Sequence, residues 1–159
     1  MVSSSIGINV FNFKCAKKIP RHSKILNTIT YENAREDAKK IISEFAPDLI
    51  GIWALSICAG RFNDGWNYSA RSSKALLIAG GHYSSASYKD ILASLPLVDL
   101  IVIGEGEITF VELLTWLQDK GSLPSSLMGA AVPFQGQVQI NESRPTIDNM
   151  MKFWNRIIS

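Results

Sequence analysis

Apolar positions along this chain follow two different periods. Residues 32–45 place apolar side chains on one face of a 3.6-residue period and predict a helix; these are Ala34, Ala38, Ile41, Ile42 and Phe45. The next run, residues 49–57, is continuously apolar, which is typical of a strand covered on both faces. Residues 75–79 and 100–103 predict two further buried strands. Strands that alternate with helices in this way indicate βαβ units and a mostly parallel sheet.

The stretch 98–117 joins a predicted strand to a predicted helix through the turn Gly104-Glu105-Gly106. In the helix, four apolar residues recur with the spacing i, i+3, i+4 and i+7: Phe110, Leu113, Leu114 and Leu117. Gly121 is the predicted C-cap. In an α/β fold such a junction lies at the carboxyl edge of the sheet, where these folds bind their ligands.

The remaining segments carry weaker patterns. Residues 6–13 and 25–31 predict two strands, with a basic loop that holds Pro20 and His22 between them. Residues 59–74 predict a helix only weakly, residues 80–85 predict a loop, and residues 88–95 predict a short helix. Residues 129–134 and 137–140 flank Gln135-Gly136 and predict a β-hairpin. We therefore expect one α/β domain over residues 1–141, followed by a tail or linker over 142–159.

Composition narrows the function class. The 159 residues are 47% apolar and 19% charged, with a formal charge of +2, which is typical of a globular protein and does not indicate a nucleic-acid partner. The longest apolar run has about half the length of a membrane span, and the N-terminus lacks an apolar signal core, so we expect a cytoplasmic protein with no membrane partner. Cys15 and Cys58 form no CxxC or CxxxCxxC motif, which excludes a zinc site or a cysteine-held iron–sulfur cluster within this chain.

Two glycine turns follow predicted strands, Gly80-Gly81 and Gly104-Glu105-Gly106. Glycine there lets backbone N–H groups approach a ligand, and the second turn leads into a helix N-terminus. Neither turn is a GxGxxG or Walker motif, so for either turn alone we favour the interpretation as a tight connection between strand and helix.

Polar and aromatic candidates also have two interpretations. Glu105 and Glu107 flank Gly106, where negative charge stabilises a helix N-terminus without any acid–base role, and Thr109 would assist capping. His82 lies in a loop suited to ligand contact, yet a lone histidine there is usually only solvated. Trp53, Trp66 and Tyr83 would stack on a planar ligand, although core packing also explains Trp53. We assign no catalytic and no metal-ligating residue.

Taken together, the segments PDLIGI, ALLIAGGHYSS and LPLVDLIVIGEGEITFVELLTWL, a hairpin and an Arg-Pro exit resemble a known family. It is the N-terminal cobalamin-binding domain of cobalamin-dependent radical S-adenosylmethionine enzymes, and the resemblance covers about residues 30–148. It implies a Rossmann-like (flavodoxin-like) sheet that holds cobalamin over the carboxyl ends of its strands. The cofactor-binding residues that it implies are Trp53, Ala54, Leu55, Ser56, Gly80, Gly81, His82, Tyr83, Ser84, Gly104, Glu105 and Gly106.

Departures from the family pattern shape the functional expectation. Tyr83 stands at the position of the family's histidine, His82 lies one position earlier, and Trp53 replaces a small polar residue. No Asp-x-His-x-x-Gly motif is present, so the resemblance implies cobalamin bound base-off, without a protein histidine ligand. The cysteines of the radical domain are missing, so we expect no catalysis by this chain alone.

The expected function is a cobalamin-binding module that acts with a radical S-adenosylmethionine domain or a separate protein. The segment NMMKFWNRI resembles a degenerate linker to such a domain. Two alternatives stay open: a diverged structural or interaction domain that has lost the cofactor, and a small nucleotide or flavin binder.

Overall fold

The structure is a computed structural model that describes residues 6–12, 22–27, 34–54, 74–120, 123–124 and 126–145. Its strands are β1 (Ile6–Asn12), β2 (His22–Asn27), β3 (Leu49–Ala54), β4 (Leu76–Gly80), β5 (Leu100–Val102), β6 (Ala130–Phe134) and β7 (Gln137–Ile140). Its helices are α1 (Ala34–Phe45), α2 (His82–Ala86), α3 (Tyr88–Ser94) and α4 (Glu107–Lys120).

These strands form one sheet in the order β2-β1-β3-β4-β5-β6-β7. The central strands β3, β4 and β5 are parallel, and β1, β2, β6 and β7 are antiparallel to their neighbours. The predicted α/β fold with a C-terminal hairpin is confirmed. The antiparallel strands on both sides make the sheet mixed, with its parallel part at the centre.

Helices cover the two faces of the sheet with separate apolar cores. One core joins α1 and α3 to the sheet; its members include Ala38, Ile42, Ile50, Ile52, Leu77, Ala79, Ile91, Leu92, Ile101 and Ala131. The other joins α4 to the opposite face; its members include Leu49, Ile78, Leu100, Val102, Leu113, Leu114, Leu117 and Ala130. Successive residues of β3 enter different cores, as expected for a strand buried on both faces.

Periodicity predicted the two long helices well. In α1, Ala38 and Ile42 are buried while Ile41 and Phe45 pack partly against the same core. In α4, the predicted stripe is the buried one, with Leu113 fully buried and Phe110 at its margin. Burial of an apolar stripe against a sheet stabilises such helices more than helix propensity does.

Two sequence predictions are wrong. The predicted loop 80–85 instead contains the last residue of β4 and most of α2, a helical turn in which the Ser85 N–H donates to the Gly81 carbonyl at 2.9 Å. Strand β2 begins at His22, within the predicted basic loop, because residues 22–27 pair antiparallel with β1. The predictions for 59–74 and for Gly121 lie outside the described residues, as do Leu55 and Ser56.

Candidate functional site

The carboxyl ends of the parallel strands meet at one edge of the sheet. Strands β3, β4 and β5 end at Ala54, Gly80 and Val102, and Trp53 pairs with Gly80 in the ladder. The structure thus places the described candidates from three separate segments along a single edge. Ligands of open α/β sheets bind at this edge.

The connections that leave β4 and β5 turn to opposite faces of the sheet. After Gly80 the chain continues into α2 and α3, and both Tyr83 and Ile91 pack against the core shared with α1. After Val102 it continues into α4, which packs against the other core. Adjacent strands whose connections diverge in this way leave a crevice between them, which is the usual ligand position in such folds.

A hydrogen bond joins the second glycine turn to α2, the helix that follows the first turn. The Gly104 N–H donates to the Ser85 Oγ at 3.0 Å, so the start of the second turn is held against α2. Helix α2 also contacts β3, β4 and β5. The bond fixes the spacing of the two turns, which the sequence does not show.

The turn between β5 and α4 combines open space with close packing. Gly104 has a φ of +72°, and a Cβ built there would meet nothing within 4 Å. A Cβ on Gly106 would instead lie 3.1 Å from the Val102 Cγ1. The Gly106 carbonyl accepts from the Phe110 N–H at 2.7 Å and so begins α4. Gly104 is therefore the position of this turn where a ligand has room to approach the backbone.

The side chains of α2 differ in how far they are exposed to solvent. His82 is exposed, whereas Tyr83 is half-buried and packs against the core shared with α1. Ser84 is 0% exposed, and its Oγ has no hydrogen-bond partner among the described residues. A buried hydroxyl without a partner is unfavourable unless a ligand or water supplies one.

Trp53 occupies a gap in the side chains of the sheet. Its ladder partners on both sides are glycines, Gly7 in β1 and Gly80 in β4. Residues paired in this way share a face, so no side chain stands directly opposite the indole on either neighbouring strand. Trp53 remains partly exposed, which leaves part of its surface open next to the site.

The amino end of β5 carries the one described group with a clearly shifted pKa. The Asp99 carboxylate accepts from the Leu77 N–H at 2.7 Å, and the Asp99 N–H donates to the Leu77 carbonyl at 2.8 Å. Burial raises the pKa of Asp99 above its ordinary value of 3.8, against the opposing effect of the Leu77 hydrogen bond. Asp99 is a structural link between β4 and β5, at the opposite end of the strands from the candidate site.

A second structural link lies behind the turn, around Arg144. The Arg144 Nε donates to the Thr109 Oγ1 at 3.1 Å, and its Nη2 donates to Glu112. The Thr109 hydroxyl donates to the Met128 carbonyl at 3.1 Å, so the predicted capping role of Thr109 is replaced by this bond. The proposed end of the domain at residue 141 stays a prediction, although contacts with α4 continue to Arg144.

Sequence reasoning overlooked Ser85 and Arg144 as positioning residues. No periodicity marks Ser85, because its bond to Gly104 spans 19 positions. Arg144 belongs to the Arg-Pro exit of the sequence motif, which marks a junction in the chain but does not identify the partner of Arg144. Within the described ranges, no group of three or more His, Cys, Asp or Glu side chains could hold a metal ion. The described helices include none with the length and apolarity needed to cross a membrane.

Comparisons with known proteins agree with this geometry. No family model matches the chain. It is 28% identical over 131 residues to an uncharacterized methyltransferase of Pyrococcus horikoshii, a match that covers 80% of this chain and 28% of that protein. It is similar in structure to the cobalamin-dependent S-adenosylmethionine radical enzyme OxsB, solved with aqua-cobalamin and S-adenosylmethionine bound.

The match with OxsB has a TM-score of 0.60 at 19% identity and covers 70% of this chain and 16% of OxsB. The chain thus spans less than a third of either protein. At this identity the likeness shows the fold, which is a Rossmann-like α/β sheet similar to one part of a larger radical enzyme.

Proposed function

We propose that this chain is a cobalamin-binding module that acts with a radical S-adenosylmethionine domain or a separate protein and does not catalyse a reaction alone. The observation that carries the proposal is the Gly104–Ser85 hydrogen bond, which joins the second glycine turn to α2, the helix that follows the first turn. The fold shared with OxsB supports it, since OxsB was solved with aqua-cobalamin, and the methyltransferase relative supports a link to methyl transfer.

The residues at the crevice suit a large planar cofactor with polar side groups. Gly104 offers open space above its backbone, and Ser84 has a buried hydroxyl that lacks a partner among the described residues. The exposed part of Trp53 offers an aromatic surface for a flat ring system. In this proposal the backbone of the two glycine turns contacts the cofactor. The residues of these turns are Gly80, Gly81, Gly104, Glu105 and Gly106.

Further members of the site follow from their positions. Ala54 ends β3 next to Trp53, and Leu55 and Ser56 continue the chain from there. When bound, cobalamin would supply the cobalt chemistry of methyl transfer, and the residues at the carboxyl ends of the strands would hold it. The sequence has no Asp-x-His-x-x-Gly motif, and on that ground we propose that cobalamin binds base-off and without a protein histidine ligand.

Tyr83 takes a different role from the one that the family resemblance implies. Its side chain packs against the core shared with α1. We propose that Tyr83 holds α2 against the sheet and that Ser84 and Ser85 provide the polar contacts of this segment.

Titration of the purified chain with hydroxocobalamin tests the proposal. We expect saturable binding with a Kd in the micromolar range, about −8 kcal/mol, and a shift of the corrin visible spectrum. The spectrum of the complex should be the same for His82→Ala. Binding of FMN or ATP in a parallel titration, with no binding of hydroxocobalamin, would instead support the nucleotide or flavin alternative.

A matched glycine pair separates a cofactor role from a folding role. Gly104 and Gly136 have φ angles of +72° and +77°, and a Cβ on either would meet nothing within 4 Å. Alanine should therefore strain each backbone by a similar amount, about 1–2 kcal/mol. We expect Gly104→Ala to weaken hydroxocobalamin binding about tenfold, which is about 1.4 kcal/mol, while Gly136→Ala at the hairpin tip leaves the affinity unchanged. Equal affinities for both variants would contradict the proposed site.

The second candidate is an interaction domain that has the same fold and no cofactor. The packing of Tyr83 into the core, at the position of the family's histidine, favours it. It predicts no corrin binding even at high micromolar hydroxocobalamin, together with a stable, cooperatively unfolding chain.

A further inference from the structure

The two edge strands of the sheet differ in how they oppose pairing with another chain. Strand β2 at one edge carries the exposed Lys24, and a charged side chain on an edge strand disfavours such pairing. Strand β7 at the other edge has the sequence QVQI, with no charged residue and no proline. No described strand pairs with the outer side of β7. Within the described ranges, this side is therefore available to a further strand.

The hydrogen bonds to β6 show which backbone groups of β7 point outward. The Asn141 N–H donates to the Ala130 carbonyl at 2.9 Å. Along an antiparallel ladder, hydrogen-bonded pairs alternate with pairs that are not hydrogen-bonded. Val138 accordingly stands opposite Pro133, which has no N–H to donate. The N–H and carbonyl groups of Val138 and Ile140 therefore point away from β6.

The side chains of β7 are arranged symmetrically about Gln139. Val138 packs partly against the core shared with α1, and Ile140, two positions later, lies on the same face and is 51% exposed. A second β7 that runs antiparallel and is centred on Gln139 therefore places Val138 of each copy opposite Ile140 of the other. Gln139 then stands opposite Gln139. Apolar β-branched side chains meet each other, which is a favourable cross-strand pair.

Charge and hydrogen bonding in this register also suit a second copy of the chain. Each of the two Val138–Ile140 pairs would exchange two backbone hydrogen bonds through the groups that point outward. The charged residue nearest to β7 in the sequence, Glu142, would stand opposite Gly136, so no like charges meet. A contact through one short strand is small for a protein interface, and the association should therefore be weak.

We propose that two copies of this chain associate through β7, in the antiparallel register centred on Gln139, and join their sheets into one. The same surface serves both copies, as in other two-fold symmetric dimers. The proposal does not depend on the cofactor, because β6 separates β7 from the strands that end at the candidate site.

Sedimentation velocity of the full chain tests the association with a matched pair of variants. Ile140 and Phe134 are 51% and 52% exposed, but Phe134 lies on the inner strand β6. We expect the average mass to rise toward twice that of one chain as the concentration increases to about 1 mM, the range of a weak complex. Ile140→Lys should weaken this association at least about tenfold, because it places a lysine on the edge strand. Phe134→Lys should leave it unchanged.

Two results of this experiment overturn the proposal. A mass that stays at that of one chain over the whole range shows that β7 does not pair with a second copy. Equal weakening by Ile140→Lys and Phe134→Lys shows association through exposed apolar surface in general and not through the strand edge. Circular dichroism of both variants checks that each is folded.

A symmetric disulfide tests the register. In a background with Cys15→Ser and Cys58→Ser, Gln139→Cys would place two Cα atoms about 4.5 Å apart across the two-fold axis, within the limit of about 7 Å for a disulfide. Gln137→Cys is the control, because its two copies would lie four residues apart along the strands, or about 13 Å. After mild oxidation, mass spectrometry should show at least about tenfold more disulfide-linked dimer for Gln139→Cys. Equal yields, or more dimer from Gln137→Cys, contradict the proposed register.

Discussion

The two ends of strand β5 differ in how completely their polar groups are paired. At the amino end, Asp99 exchanges two hydrogen bonds with Leu77, and the link is closed. At the carboxyl end, Gly104 makes one hydrogen bond to Ser85 and has open space above it. In α2, the buried hydroxyl of Ser84 has no partner among the described residues. The amino end is a closed link between two strands, whereas the carboxyl end leaves open space above Gly104.

Two glycines of almost equal φ repeat this contrast. Gly104 and Gly129 have φ angles of +72° and +71°. A Cβ on Gly104 would meet nothing within 4 Å, whereas on Gly129 it would lie 2.8 Å from the Thr109 Oγ1 and 3.5 Å from the Arg144 Cβ. The same backbone conformation thus serves an open turn in one place and a packed link in the other.

The largest effect is expected at the packed link, from Gly129→Ala. Strain from the positive φ adds to the collision with Thr109, and we expect a loss of about 3 kcal/mol in the free energy of unfolding. Urea unfolding measures the loss, and Gly136→Ala is the control without the collision. In a Thr109→Ala background the loss from Gly129→Ala should fall to that of the control; a loss that stays as large would show that the collision is not its cause.

Asp99→Ala, at the amino end of β5, is expected to have an intermediate effect on the free energy of unfolding. Asp99→Ala leaves the buried Leu77 N–H without its acceptor, and we expect a loss of about 1–3 kcal/mol. Asp99→Asn keeps an acceptor and removes the desolvated charge, so it should be at least as stable as the parent at pH 7.

The contribution of Asp99 to the free energy of unfolding should depend on pH. Since burial raises the pKa of Asp99, its folded form binds a proton more tightly than the unfolded chain does. The contribution of Asp99 to stability is therefore complete below about 3.8 and is lost as the pH rises through the higher folded value. The advantage of Asp99→Asn in urea unfolding should grow over that window, and an advantage that shrinks as the pH rises would contradict the desolvation argument.

Ser84→Ala is expected to have the smallest effect on stability. Unlike Gly129→Ala and Asp99→Ala, it should stabilise the chain. Removal of a buried hydroxyl that lacks a partner should raise the free energy of unfolding of the cofactor-free chain by about 1 kcal/mol. The same change should weaken hydroxocobalamin binding. The control is Ser94→Ala, because the Ser94 Oγ already donates to the Asp90 carbonyl at 2.6 Å. A destabilised Ser84→Ala chain would show that the hydroxyl is satisfied within the fold.

Much of the candidate site followed from sequence because its parts are local. Gly80-Gly81 and Gly104-Glu105-Gly106 stand after apolar strands, and each such turn lies at a strand's carboxyl end once the strands are parallel. Tyr83 could not be assigned in this way. Whether its ring faces the core or the crevice depends on the rotation of α2 against the sheet, which follows from packing and not from the motif.

The sequence by itself determined the elements whose signals are local. The stripes of α1 and α4, the two-faced burial of β3 and the hairpin at Gln135-Gly136 follow from periodicity and turn chemistry, and the structure has them all. Only the tertiary structure decided that β1 and β2 join antiparallel beside β3, that Ser85 reaches Gly104, and that Arg144 reaches Thr109 across 35 positions. The physical reason is that these bonds join residues far apart in the chain, and their geometry exists only after strand order and register are set.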